Sequence, residues 1–252
     1  MKILLLIATT LVAFNSYAAS ENRDISDSSF SVGASVGIST GPYRNYSEKV
    51  IPLPVIEYEG SVFFFHGFET GLKAYSSESN EVSFSVSFIP FSFKPKDSKN
   101  ESLKNLNERK LSVMTNLSWV HKADWGFTLL KAGQKITGNR KGIMMAAEYG
   151  YPLQLGSTTV IMSSGLEFSN ADINKYYFGI SPDEANRSGL NSYHPGTGIS
   201  PYIDLMAAYP LTESVELSAG ARVIRLSDAI YNSPMVDERY VTSFFTSVSY
   251  NF

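Results

Sequence analysis

The chain has 252 residues and a net charge of −3, so it lacks the basic excess that neutralises phosphates, and nucleic acid is excluded as a partner. It has no cysteine, which excludes disulfides and thiolate chemistry. No apolar run beyond the N-terminus approaches the roughly 18 residues of a spanning helix. A membrane barrel escapes that test, because every second residue of its strands faces the lumen.

The chain opens on Met1-Lys2, followed by an apolar run from Ile3 to Phe14. Ser16 and Ala18 then place small residues at −3 and −1, the pattern of a secretory signal peptide over residues 1–18. Residues 19–29 are polar and charged and read as a periplasmic tail, and 30–252 as the barrel domain. Phe30 to Ile38 alternates apolar residues with Ser and Gly, a first strand with a very small inner face. After a polar loop, Ile51 to Tyr58 forms a second strand, with Pro52 and Pro54 at its start, where missing ladder donors are tolerated. Ser61 to His66 and Gly71 to Tyr75 predict a short hairpin, although Val62 to Phe65 breaks the alternation.

From Glu81 to Phe93 the period of two returns, followed by a charged loop over 94–108. Strands are expected over 111–119, 126–136, 143–151 and 158–168. The longest irregular stretch is 169–198. Ile199 to Tyr209 and Val215 to Val223 alternate again, and the last strand runs from Tyr240 to Phe252. On that strand Tyr240, Phe244, Val248, Tyr250 and Phe252 share one face, and Ser243, Ser247 and Ser249 share the other.

These strands make an all-β, antiparallel, up-and-down transmembrane barrel of about 12 strands. Connections at 59–60, 77–80, 122–124, 152–156 and 210–213 are short, whereas 39–50, 94–108, 169–198 and 227–239 are long, with 67–70 and 137–141 the short exceptions in that series. Short periplasmic turns and longer external loops sort in this way in outer-membrane barrels. With residue 252 periplasmic, Trp119, Trp125, Tyr149, Tyr151, Tyr209, Tyr250 and Phe252 fall on the periplasmic rim. Phe91, Phe93, Phe168 and Tyr240 fall on the external one. The aromatic end, Tyr250 and Phe252, resembles the signal by which such proteins are inserted.

No phosphate-binding loop, dinucleotide fingerprint, zinc motif or nucleophile elbow occurs, so no catalytic, cofactor or metal residue is expected. Asp183-Glu184 and Asp237-Glu238 read as solvated loop charges. Glu148, Glu167, Asp204, Glu216 and Arg222 fall on the inward face, where charge needs water or a partner. Together with Met114, Met144, Ile161, Tyr202 and Met206 they read as an internal ion-paired plug rather than a narrow channel.

The stretch Tyr176-Tyr177-Phe178-Gly179-Ile180-Ser181-Pro182-Asp183-Glu184-Ala185, with Ser188, Gly189, Leu190 and Tyr193, then Ser233-Pro234-Met235-Val236 and the end Tyr250-Asn251-Phe252, resembles the MltA-interacting protein/OmpV family. Gly41-Pro42-Tyr43 and Pro52-Leu53-Pro54 fit it as well. The resemblance implies an outer-membrane barrel of a Gram-negative bacterium, in contact with outer-membrane lipid and with no catalytic residues. It implies a scaffold between a lytic transglycosylase and a penicillin-binding protein in cell-wall synthesis. Other members imply a small-solute porin or an adhesin acting through the external loops.

Overall fold

A computed structural model describes residues 28–45, 50–89, 91–138 and 141–252. The expected signal peptide and nearly all of the expected tail lie outside the described residues. Twelve strands form: β1 (Ser29–Ser39), β2 (Ile51–Glu59), β3 (Phe63–His66), β4 (Glu69–Ser76), β5 (Asn80–Phe88), β6 (Val113–Ala123), β7 (Gly126–Lys135), β8 (Ile143–Leu155), β9 (Thr158–Ser169), β10 (Gly198–Pro210), β11 (Val215–Arg225) and β12 (Tyr240–Asn251). Each pairs antiparallel with its sequence neighbours, and β1 pairs with β12 from Ser31↔Asn251 to Ser39↔Ser243, which closes the barrel. Closure pairs backbone donors and acceptors around most of the wall, the condition for β structure in lipid.

The alternation in the sequence becomes the two faces of this wall. Phe84, Leu117, Leu130, Met145, Met162, Leu166, Ile203, Leu205 and Phe244 point outward and are exposed, forming the apolar belt. Ser83, Ser85, Ser118, Ser163, Ser218, Ser243 and Ser247 point inward and are buried. At the short-turn end Trp119, His121, Trp125 and Tyr149 stack in series, with ring centroids 5.8, 5.7 and 6.0 Å apart. The Tyr149 hydroxyl donates to the Trp125 carbonyl at 2.6 Å. These rings form a girdle at the short-turn rim of the barrel. At the chain end Phe252 donates its N–H to the Phe30 carbonyl at 3.0 Å, and its ring lies 4.9 Å from that of Tyr250.

Two expectations are corrected. The fifth strand ends at Phe88, not Phe93, and the chain then carries Ile89, Phe91 and Phe93 into a buried core; Phe91 and Phe93 are therefore not rim aromatics. The 169–198 stretch is not a displayed irregular loop. It folds into two helices, α2 (Ala171–Phe178) and α3 (Pro182–Ser188), which join α1 (Glu101–Lys104) and α4 (Asp228–Tyr231) over the long-loop mouth. The two differences meet in one place: the Phe91 ring packs on Tyr177 and Phe178, so the segment that leaves β5 and the helices of 171–188 bury each other's aromatic side chains.

Candidate functional site: the lumen and its external lid

The external mouth is closed by a hydrophobic lid. Ile173, Tyr177, Phe178 and Ile180 from the α2 region pack with Phe93, Leu103, Leu226 and Met235, all almost fully buried. Met114, Tyr202, Ile224 and Val241, inward residues near the external ends of their strands, form the floor of the same cluster. The Phe91 ring meets those of Tyr177 and Phe178 at 5.5 and 5.3 Å. Tyr43, on the β1–β2 connection, packs on Phe93 and Phe178 and donates its hydroxyl to the Tyr177 carbonyl at 3.3 Å. Burial pushes the Tyr177 phenol well above its ordinary pKa.

The residues that carry the family resemblance are the joints of this lid. Ser181 caps α3 by accepting from the Glu184 N–H, and Glu184 accepts from the Ser181 N–H at 3.0 Å, a capping box. Glu184 is not the solvated loop charge expected. It is buried, and one carboxylate oxygen accepts from the Asn107 N–H at 3.0 Å and from Arg109 at 2.7 Å. Arg109 also donates to the Gly179 carbonyl at 2.9 Å, so one guanidinium ties the 107–109 segment to both lid helices. Burial on its own would raise the Glu184 carboxyl. The N–H donors of Ser181 and Asn107 and the Arg109 charge outweigh it and hold the pKa below the ordinary value of 4.5.

Gly189 ends α3 in the left-handed conformation, φ +73°, and donates to the Ala185 carbonyl. Ser188 is buried and accepts from the Leu190 N–H at 3.2 Å. Tyr193 bridges to Ile180 through two backbone bonds and donates its hydroxyl to the Ala229 carbonyl at 3.0 Å. Ser233 donates to the Phe178 carbonyl at 2.6 Å, and Pro234 is half-buried beside it.

Below the lid, four of the five inward charges come together. Arg222 donates to Glu167 at 2.5 Å, lies 3.7 Å from Asp204, and stacks 3.9 Å over the Tyr202 ring. The Tyr202 hydroxyl donates to Glu148 at 2.6 Å. Gly165 makes this possible: a Cβ there would sit 2.5 Å from the Tyr202 hydroxyl. Glu216 stands apart, about 20 Å along β11 from Arg222 at 3.3 Å per residue. It accepts from Ser218 at 3.1 Å instead. Toward the periplasmic end Phe127, Ile161, Met206, Ala208 and Phe245 fill part of the lumen.

The residue pattern also missed charges on the opposite wall. Lys131 donates to Glu69 at 2.6 Å, and Ser85 donates to the same carboxylate. Glu59 bonds His66 at 2.8 Å and pairs with Lys73, which lies 3.3 Å from Glu81. Glu69, Gly71 and Lys73 share one parity and so one face, a signal hidden by the non-alternating run at 62–65. Between these two charged walls lies a cavity of about 150 Å³, bordered by Glu69, Lys131, Glu148 and Arg222. Among the described residues no cluster of three or more His, Asp and Glu has the arrangement of a metal site.

The model of the family described as "MltA-interacting protein MipA" matches residues 32–252 of this chain. The chain belongs to the MipA family. The MltA-interacting protein of Escherichia coli K12 is 34% identical over 223 residues, 88% of this chain and 90% of that protein. A putative outer membrane protein of the same strain, YiaT, is 32% identical over 225 residues, 89% and 92% of the two chains. An outer membrane channel from Pseudomonas putida F1 superposes with a TM-score of 0.49 at 8% identity, covering 92% of this chain and 98% of that one. This MipA-family member is thus a closed 12-strand barrel of the Gram-negative outer membrane.

Proposed function

We propose that this protein is a non-enzymatic interaction protein of the outer membrane, a closed barrel that holds cell-wall enzymes at the membrane's inner face. The observation that carries the reading is the lid: the external loops spend their aromatic residues on a buried core that shuts the mouth. A barrel built for bulk passage would keep that mouth open. The same folding turns Tyr177, Phe178 and Ile180 away from the outside, so an adhesin would have to work through the polar residues the segment still exposes, among them Asp183, Asn186 and Arg187. The partner is a lytic transglycosylase, the type of enzyme implied by the resemblance and in keeping with the name of the Escherichia coli relative, with a penicillin-binding synthase as second partner.

The test is capture. Barrel immobilised in detergent should retain purified lytic transglycosylase and penicillin-binding protein from the same cell. The same preparation in planar bilayers should give conductance at background. Failure to retain either enzyme, together with stable unit conductance, would overturn the proposal in favour of a narrow pore.

A further inference from the structure

The barrel wall has a notch. The β3–β4 hairpin turns at Gly67 and Phe68, and β3 pairs with β2 only from Glu57↔His66 to Glu59↔Phe64. Gly67 adds one last bond, its N–H donating to the Ile56 carbonyl at 3.2 Å. Beyond it, β2 continues through Ile51–Val55, paired on its other side with β1. Among the described residues no strand pairs with this segment on the hairpin side. Five residues at 3.3 Å each, tilted about 40°, make the notch about 12 Å high.

The sequence is adapted to this edge. Backbone groups of alternate residues point to the same edge of a strand, so Pro52 and Pro54 face the notch as Ile56 does. Proline has no N–H, so the two donors that a notch at lipid height would expose do not exist. The same feature makes the edge unfit for pairing with a partner strand, since a ladder needs those donors. The carbonyls stay as acceptors. The outer margin is apolar: Pro54 and Ile56 are exposed, and Phe68 at the hairpin tip packs edge-on against Phe88 at 6.4 Å. Gly67 points into open space, with nothing within 4 Å of a Cβ built there.

The lumenal cavity borders the hairpin and β5 side of the notch. His66 and Glu69, which flank the hairpin turn, and Ser87 and Phe88, at the top of β5, all line it. The notch lies at the long-loop end of the wall, beside the lid.

We propose that the notch is a lateral portal through which a small membrane-borne amphiphile, an alkyl chain ending in a hydroxyl or similar donor, passes from the outer leaflet into the lumenal cavity. A cavity of this size holds a benzene-sized group, so the head and a few carbons enter while the rest of the chain stays in the notch. The Glu69–Lys131 pair and Asn116, which line the cavity, offer the head both donors and acceptors. This reading does not depend on the cell-wall partners proposed above.

The experiment uses the mature protein refolded into phosphatidylcholine vesicles, with a diazirine-bearing octanol as photolabel. The chain has no native cysteine. A Gly67→Cys variant can therefore be blocked after folding with a bulky, membrane-permeant maleimide, which removes misfolding as an explanation. The expected result is photo-adducts on Glu69 and Lys131 in the unblocked protein, falling about tenfold once the maleimide is attached. Lys122→Trp, which narrows the periplasmic end of the cavity, should leave them unchanged. Adducts confined to outward-facing residues, lumenal adducts that persist after blocking, or adducts lost in Lys122→Trp would each overturn the portal.

Discussion

Replacing Arg109 with methionine isolates the energetics of the lid. The side chain is buried, and it makes three polar contacts: Glu184 at 2.7 Å, the Gly179 carbonyl at 2.9 Å and the Asn107 carbonyl at 3.3 Å. Methionine keeps much of the volume but leaves Glu184 as a buried carboxylate held only by the N–H groups of Ser181 and Asn107. Removing one member of a buried ion pair costs about 3 kcal/mol or more. The barrel ladder does not depend on this pair, so the loss falls on the lid. At about 1.4 kcal/mol per factor of ten, lid opening becomes about 100-fold more frequent. Hydrogen exchange of the protein in detergent reads this directly, as lost protection of amides in 171–190 with β6 to β12 unchanged. Adding Glu184→Gln to Arg109→Met removes the stranded charge and should recover part of that protection. Unchanged exchange over 171–190 in the single variant, or strictly additive effects in the double, would refute the claim that this ion pair holds the lid shut.

Acid should open the same lid. The Glu184 pKa is depressed in the folded state, so its contribution is complete above the ordinary value of 4.5 and is lost as pH falls below it. Exchange over α2 and α3 should therefore accelerate below about pH 4.5 in the wild type, and Glu184→Gln should flatten the dependence. Ser181→Ala removes one side of the capping box and should destabilise α3 by about 1 kcal/mol, seen as faster exchange there with barrel unfolding in urea unchanged. Gly165→Val drives a side chain into Tyr202 and separates it from Glu148. The misfit should lower barrel stability by about 2 kcal/mol in urea titrations in vesicles, and an unchanged midpoint would count against the lumenal network as drawn.

The family-motif residues identified from the sequence share one structural setting rather than one chemical role. Ser181, Glu184 and Gly189 shape α3, Ser233 holds the end of α2, and Tyr193 ties the segment after α3 to Ile180 and to α4. Their pattern is that of a folded lid, which accounts for a specific sequence block in a chain with no catalytic motif. Glu148, Glu167, Asp204 and Arg222 were legible as inward charges because each sits at a fixed parity on a well-alternating strand. Arg109 was not legible, since nothing near residue 109 announces a partner some 75 residues away.

What the amino-acid sequence determined by itself is the wall: twelve strands, their directions, their lipid and lumen faces, and the ring of aromatics at the periplasmic rim. Those follow from a period of two, which is local and survives whatever the chain does elsewhere. Tertiary structure alone decided what closes the cylinder. Phe91 and Phe93 keep strand periodicity yet leave the wall, because Tyr43, Tyr177 and Phe178 arrive from distant loops to bury them. It also decided how high each strand stands beside its neighbour, a matter of register between chains of unequal length. Pro52 and Pro54 mark the resulting edge, but they acquire their meaning only once β3 stops short of them.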